Sequence, residues 1–195
     1  MVVVVMGVSG SGKTVVGETL ARQLNWRFED ADHWHSASNI EKMQHDVALT
    51  DQDREPWLRT LNGEIRRWIA NKCDVVLACS ALRKSYRDAL RDGLPDHELV
   101  RFVYLKGTPD LIDQRLKSRV GHFMPESLLT SQFAALEEPD APEALLVEIS
   151  NPITTEVDSI ITSLQLASRK HLNRTENCPD IHDPDTNENE NENDI

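Results

Sequence analysis

Val2-Val3-Val4-Val5-Met6 runs directly into Gly7-Val8-Ser9-Gly10-Ser11-Gly12-Lys13-Thr14. The first stretch is apolar without interruption and almost entirely β-branched, the pattern of a strand buried on both faces of a parallel sheet. The second satisfies GxxxxGK[ST] and leads into a helix expected from about Lys13 to Leu24. Such a match arises by chance in on the order of 1% of chains of this length. A glycine turn that merely joins strand to helix is the alternative, and the placement between a buried strand and a helix start argues against it. In this arrangement backbone N–H groups converge on phosphate oxygens and the helix N-terminus adds partial positive charge. Lys13 then reaches the β- and γ-phosphates, and the Thr14 hydroxyl ligates Mg²⁺. Gly7, Val8, Ser9, Gly10, Ser11, Gly12, Lys13 and Thr14 are therefore expected to hold a nucleoside triphosphate.

Working outward, the chain keeps alternating strand and helix. Trp26 to Asp30, Val75 to Cys79, Val100 to Leu105 and Leu145 to Ile149 read as further strands. Ser38-Asn39-Ile40-Glu41 has capping-box spacing and predicts a short helix, and Thr50 to Asp53 repeats the signal before a longer one. In that longer helix Trp57, Leu58, Leu61, Ile65, Trp68 and Ile69 share a face. Thr108-Pro109-Asp110 opens another helix, with Thr108 as N-cap and Pro109 in first position. Val157, Ile160, Ile161 and Leu164 mark the last. Five strands alternating with helices predict an α/β fold, a parallel five-stranded sheet of P-loop NTPase type with helices on both faces.

Composition narrows the function. The chain has 195 residues, 39% of them hydrophobic, enough for one cored domain. Of the formal charge of −12, seven units fall in residues 171–195, which carry eight acids and one base. That segment, ending Asn187-Glu188-Asn189-Glu190-Asn191-Glu192-Asn193-Asp194, is expected to be a disordered acidic tail behind a P-loop domain spanning residues 1–170. With no basic stripe, nucleic acid is not expected as a partner. The longest apolar run, Met1 to Met6, is too short to cross a bilayer and has no cationic leader, so neither membrane nor export is expected and the setting is read as cytoplasmic. Cys73, Cys79 and Cys178 are odd in number and lack CxxC spacing, which predicts neither a disulfide framework nor a zinc site. Cys79 is expected to pack rather than react.

The phosphate motif alone leaves the acceptor open. A body of about 170 residues is small for an ATPase motor. Asn71-Lys72-Cys73-Asp74 has the Asn-Lys-x-Asp spacing that can read guanine, but it leads into the Val75 strand, away from the strand C-termini where such folds bind ligands. A small-molecule kinase with a helical lid remains. Asp30-Ala31-Asp32 ends the second strand, at the sheet edge where open α/β folds bind ligands. Phosphoryl transfer to an alcohol needs one carboxylate for Mg²⁺ and another to orient and deprotonate the hydroxyl, which casts Asp30 and Asp32 respectively.

From here the residues resemble a family. Asp30-Ala31-Asp32-His33-Trp34-His35 with Asn39-Ile40-Glu41-Lys42-Met43 is similar to the gluconokinase pattern DxDxxHxxxNxxKM. Leu49 to Leu58 resembles LxDxDRxPWL, and Cys79 to Asp88 resembles CSALKxxYRD. Tyr104-Leu105-Lys106-Gly107 and Arg115-Leu116-Lys117-Ser118-Arg119-Val120-Gly121-His122-Phe123 continue the likeness, which runs from about residue 3 to 166. The resemblance implies transfer of phosphate from ATP, with Mg²⁺, to the terminal hydroxyl of D-gluconate, by a homodimer. A polyhydroxy carboxylate calls for a cationic fork and polar partners, for which Arg54, Arg83 and Arg87, with Lys42 and His35, are candidates. Arg115 and Arg119, four apart on one helix, resemble the arginines of a kinase lid, which stabilise transition-state charge and exclude water. At Ser150 the sequence departs from the family's Asp-x-Pro, which leaves the base contacts undefined. The alternatives are a shikimate-kinase-like enzyme, disfavoured because Cys79-Ser80-Ala81 stands where that family has three glycines, and a non-catalytic ATP-binding regulator.

Overall fold

The computed structural model describes residues 1–118, 126–166 and 178. Its five strands are β1 (Val2–Met6), β2 (Arg27–Asp30), β3 (Val75–Ala78), β4 (Val100–Lys106) and β5 (Ala144–Glu148). They lie in the order β2-β3-β1-β4-β5, and every pairing is parallel. The helices are α1 (Lys13–Leu24), α2 (Ala37–Gln44), α3 (Asp51–Ala70), α4 (Lys84–Arg91), α5 (Pro109–Lys117), α6 (Glu126–Ala135) and α7 (Ile153–Ser163).

The unbroken apolar run of β1 is explained by what covers it. Val3 and Val5 enter one core with Val16, Leu20, Ile112, Val157 and Ile160. Val2, Val4 and Met6 enter the other with Leu58, Leu61, Ile65, Trp68 and Leu90. Helices α1, α5 and α7 thus cover one face and α3 and α4 the other. All five strand C-termini point to one edge, which gathers the loops that carry the chemistry.

Local signals hold where they are self-contained. Thr50 and Asp53 form the reciprocal capping box of α3, and Thr108 caps α5 through Leu111 N–H. The α2 cap is a correction: Ser36, not Ser38, accepts from Asn39 N–H at 3.2 Å, so the helix begins at Ala37. Two serines two residues apart offered two starts, and the first is used. Helix α6 escaped prediction because its apolar residues Leu128, Leu129, Phe133 and Ala134 form no clean stripe.

The cysteines also require correction. Cys73 and Cys178, 105 residues apart with Cα atoms 5.6 Å from each other, form a disulfide. A separation of that length leaves no spacing signature in the sequence. The proposed tail otherwise lies outside the described residues, and Cys178 packs against the core beneath α3. Among the described residues no helix is long and apolar enough to cross a membrane.

Candidate active site

The phosphate loop occupies the turn between β1 and α1. Gly12 caps α1 with φ 99°, a conformation that L side chains rarely adopt. Gly10 has φ 83°, and a Cβ there would sit 2.8 Å from Leu116 Cγ, so α5 packs where only glycine fits. Within the loop Lys13 Nζ donates to the Val8 carbonyl at 3.1 Å.

Asp30 ends β2 and caps a short 3₁₀ turn, Ala31–Trp34, accepting Asp32 N–H on Oδ1 at 3.1 Å. Its Oδ2 accepts from Thr14 Oγ1 at 3.2 Å. Strand β3 stands between β2 and β1, yet the first turn of α1 reaches across its end to bring these two oxygens together. A hydroxyl and a carboxylate beside a phosphate cradle form the hard-oxygen set that Mg²⁺ prefers when phosphate and water complete its shell. Among the described residues no cluster of three or more His, Cys, Asp or Glu could cage a metal by itself.

Asp32 projects outward from the same turn, its side chain 78% exposed and 3.9 Å from His35 Nε2. The turn is anchored by Trp57, whose indole N–H donates to the Ala31 carbonyl at 2.8 Å. Sequence periodicity placed Trp57 in the core and gave no sign of this anchor. His35 stacks on the Trp57 ring, centroids 4.3 Å apart. Burial lowers the His35 pKa, Asp32 opposes the shift, and Arg54 adds to it. The imidazole is therefore neutral at pH 7.

The basic candidates divide into two groups. Arg54 and Arg83 each lie over the Tyr86 ring, their guanidinium carbons 5.7 and 5.9 Å from its centroid. Asp51 holds this cluster, accepting from Arg83 at 2.7 Å and from the Tyr86 hydroxyl. Arg54 also donates to the Leu49 carbonyl. Arg87 is different: only 1% of its side chain is exposed. It forms a two-point ion pair with Glu143 at 2.7 and 3.0 Å and donates to the carbonyls of Ala81, Leu82 and Glu137. Burial of a fully bonded guanidinium makes Arg87 a structural hub instead of the ligand contact expected from the sequence. Lys42 is likewise committed, pairing with Asp53 at 2.6 Å. That bond, with those from Thr50, holds the Asp53 carboxyl at about 2, so Lys42 joins α2 to α3.

Arg115 lies against the cradle wall, donating to the Ser11 carbonyl at 3.3 Å and to the Ile149 carbonyl at the end of β5. It therefore fastens phosphate loop to sheet edge, where the sequence predicted a lid. Arg119 lies outside the described residues. Burial pushes the Cys79 thiol up to about 12, in keeping with a packing role.

A parallel sheet with this cradle, an oxygen pair beside it and an exposed carboxylate defines the class: a P-loop phosphotransferase for a small acceptor. Residues 2–139 match a family model described as an AAA domain. A probable gluconokinase of Mus musculus is 51% identical over 156 residues, covering 73% of this chain and 85% of that protein. The thermoresistant gluconokinase of Escherichia coli is 46% identical over 161 residues, 81% and 90% of the two chains. A crystal structure of a gluconokinase from Sinorhizobium meliloti superposes with a TM-score of 0.76 at 39% identity, covering 86% of this chain and 93% of that one. The chain belongs to the gluconokinase family.

Proposed function

We propose that this chain transfers the γ-phosphoryl group of ATP to the terminal hydroxyl of D-gluconate, giving 6-phospho-D-gluconate and ADP. The observation that carries the assignment of roles is the meeting of cradle, Thr14–Asp30 pair and exposed Asp32 at one sheet edge. In this reading the loop of residues 7–14 binds the phosphates by Lys13 and by backbone N–H groups other than those of Gly7, Ser9 and Ser11, which donate within the protein. Thr14 and Asp30 would hold Mg²⁺, which when bound neutralises phosphate charge. Asp32 orients the acceptor hydroxyl and takes its proton, and its exposure leaves room for a substrate to approach. Arg54 and Arg83, 5.7 and 5.9 Å from the Tyr86 ring centroid, supply the cationic fork for the gluconate carboxylate. Neutral His35 offers a hydrogen bond without adding charge beside Asp32. Arg115 supports the cradle near the nucleotide, and Arg119 is assigned to transition-state charge on the resemblance alone. A homodimer and a cytoplasmic setting belong to the same reading and rest on the family likeness.

The test couples product formation to 6-phosphogluconate dehydrogenase and follows NADPH, so that ATP hydrolysis alone gives no signal. A gluconate-dependent rate that falls by orders of magnitude in Lys13→Ala, with the fold intact, is expected. No rate with D-gluconate while ATP still binds would overturn the acceptor assignment and favour a non-catalytic ATP-binding role or another acceptor.

A further inference from the structure

One peptide unit of the phosphate loop, that joining Val8 to Ser9, is held at both of its polar ends. Its carbonyl oxygen accepts from Lys13 Nζ at 3.1 Å and from Ser11 N–H at 3.2 Å. Its N–H donates to Gln132 Oε1 at 2.7 Å, while Gln132 Nε2 donates to Ser9 Oγ at 3.2 Å. Gln132 sits on α6 and reaches the loop from 123 residues further along the chain. A side-chain amide bonded to both the backbone N–H and the hydroxyl of one residue restrains that peptide plane as a single bond cannot.

The restraint falls where the loop is free to turn. Gly7 and Gly10 flank Val8–Ser9, both at positive φ, and glycine neighbours lower the cost of rotating a peptide. Rotation would turn a carbonyl oxygen toward the region where N–H donors must gather for phosphate. It would also move the oxygen that Lys13 Nζ now contacts. We propose that Gln132 is a positioning residue for phosphoryl transfer, acting through the Val8–Ser9 peptide to keep the loop N–H groups and Lys13 in register. It need not touch the transferred group; its effect passes through the cradle. The proposal rests on the ATP-binding role assigned to the loop but does not depend on which acceptor is phosphorylated.

Three variants test it: Gln132→Ala, Gln132→Glu and Ser9→Ala. Each is assayed for kcat and both KM values, for direct ATP binding by tryptophan fluorescence, and for melting temperature. Gln132→Ala is expected to lower kcat about tenfold and weaken ATP binding severalfold, with KM for D-gluconate within twofold. Gln132→Glu keeps an acceptor for Ser9 N–H and is expected to recover most of kcat at saturating ATP. Its added negative charge near the phosphates raises KM for ATP above that of wild type. Ser9→Ala, which removes only the weaker bond and leaves Ser9 N–H on Gln132 Oε1, is expected to lower kcat less than Gln132→Ala does. Equal losses in the alanine and glutamate variants would overturn the proposal. So would a Gln132→Ala enzyme within twofold of wild type throughout, or a loss that only tracks a fall in melting temperature. Because ATP binding is read without acceptor, a wrong acceptor assignment silences turnover but leaves the Gln132 effect on binding measurable.

Discussion

Replacing Arg87 tests whether a cation found inside a family motif serves the ligand or the fold. Its side chain is 1% exposed and spans Glu143 and three backbone carbonyls. Arg87→Ala strands the Glu143 carboxylate, itself only 15% exposed, and removes a donor from each carbonyl. Breaking one side of a buried ion pair costs about 3–5 kcal/mol. An orphaned carbonyl adds about 1 kcal/mol where water cannot enter, and the contributions overlap because they share one group. A total near ~5 kcal/mol corresponds to a melting temperature roughly 10–20 °C lower for a domain of this size. Urea titration followed by tryptophan fluorescence gives the stability, and the coupled assay below the new transition gives KM. KM for D-gluconate should stay within about twofold, a change worth only ~0.4 kcal/mol. Replacing both partners, Arg87→Met with Glu143→Leu, removes the charge penalty but leaves the carbonyls, so that variant should recover part of the stability and not all of it. The reasoning is refuted if Arg87→Ala is within about 1 kcal/mol of wild type, or if KM rises tenfold in a protein of unchanged stability.

Asp32→Asn should lower kcat by about 10²–10⁴-fold while ATP binding stays within twofold, since general-base assistance is lost and the cradle is untouched; equal losses in both would place Asp32 in nucleotide binding. His35, whose pKa lies below 6.5, contributes stability that is fully present above pH 6.5 and lost as pH falls through its folded value. The melting temperature should therefore decline on acidification below 6.5, and His35→Gln should flatten that limb, which a set of melts from pH 7.5 to 5 would reveal. Cys178→Ser should lower stability by up to about 4–5 kcal/mol, the chain-entropy ceiling for a loop of roughly 100 residues. Denaturation with and without reductant, beside non-reducing peptide mapping, checks this; indifference of the wild type to reductant would count against it.

What the sequence discloses depends on how far apart the cooperating groups lie. The phosphate loop is legible because everything it needs, glycines, lysine and threonine, falls within eight consecutive residues between two signals of secondary structure. The α3 capping box is legible for the same reason. The Cys73–Cys178 disulfide, at 105 residues, is not. Nor is the Gln132 contact with Ser9, although Ser131-Gln132-Phe133 lies in plain view; a glutamine on an unpatterned helix carries no local sign of its partner.

The arginines make the point most sharply. Arg54, Arg83 and Arg87 are alike in sequence: each lies in or next to a helix and within a family motif. Their fates separate only when neighbours arrive. Arg83 keeps 39% of its side chain exposed and shares Asp51 with Tyr86, which leaves guanidinium edges at the surface where an anionic substrate can compete for them. Arg87 meets Glu143, 56 residues away, and three carbonyls at the end of β3 and beyond α6. Once buried, a guanidinium stripped of its partners would bear an uncompensated charge in a low-dielectric interior, so it cannot release Glu143 to bind a metabolite. Burial therefore decides function: the same side chain is a recognition element where desolvation awaits the ligand and a structural one where folding has already imposed it.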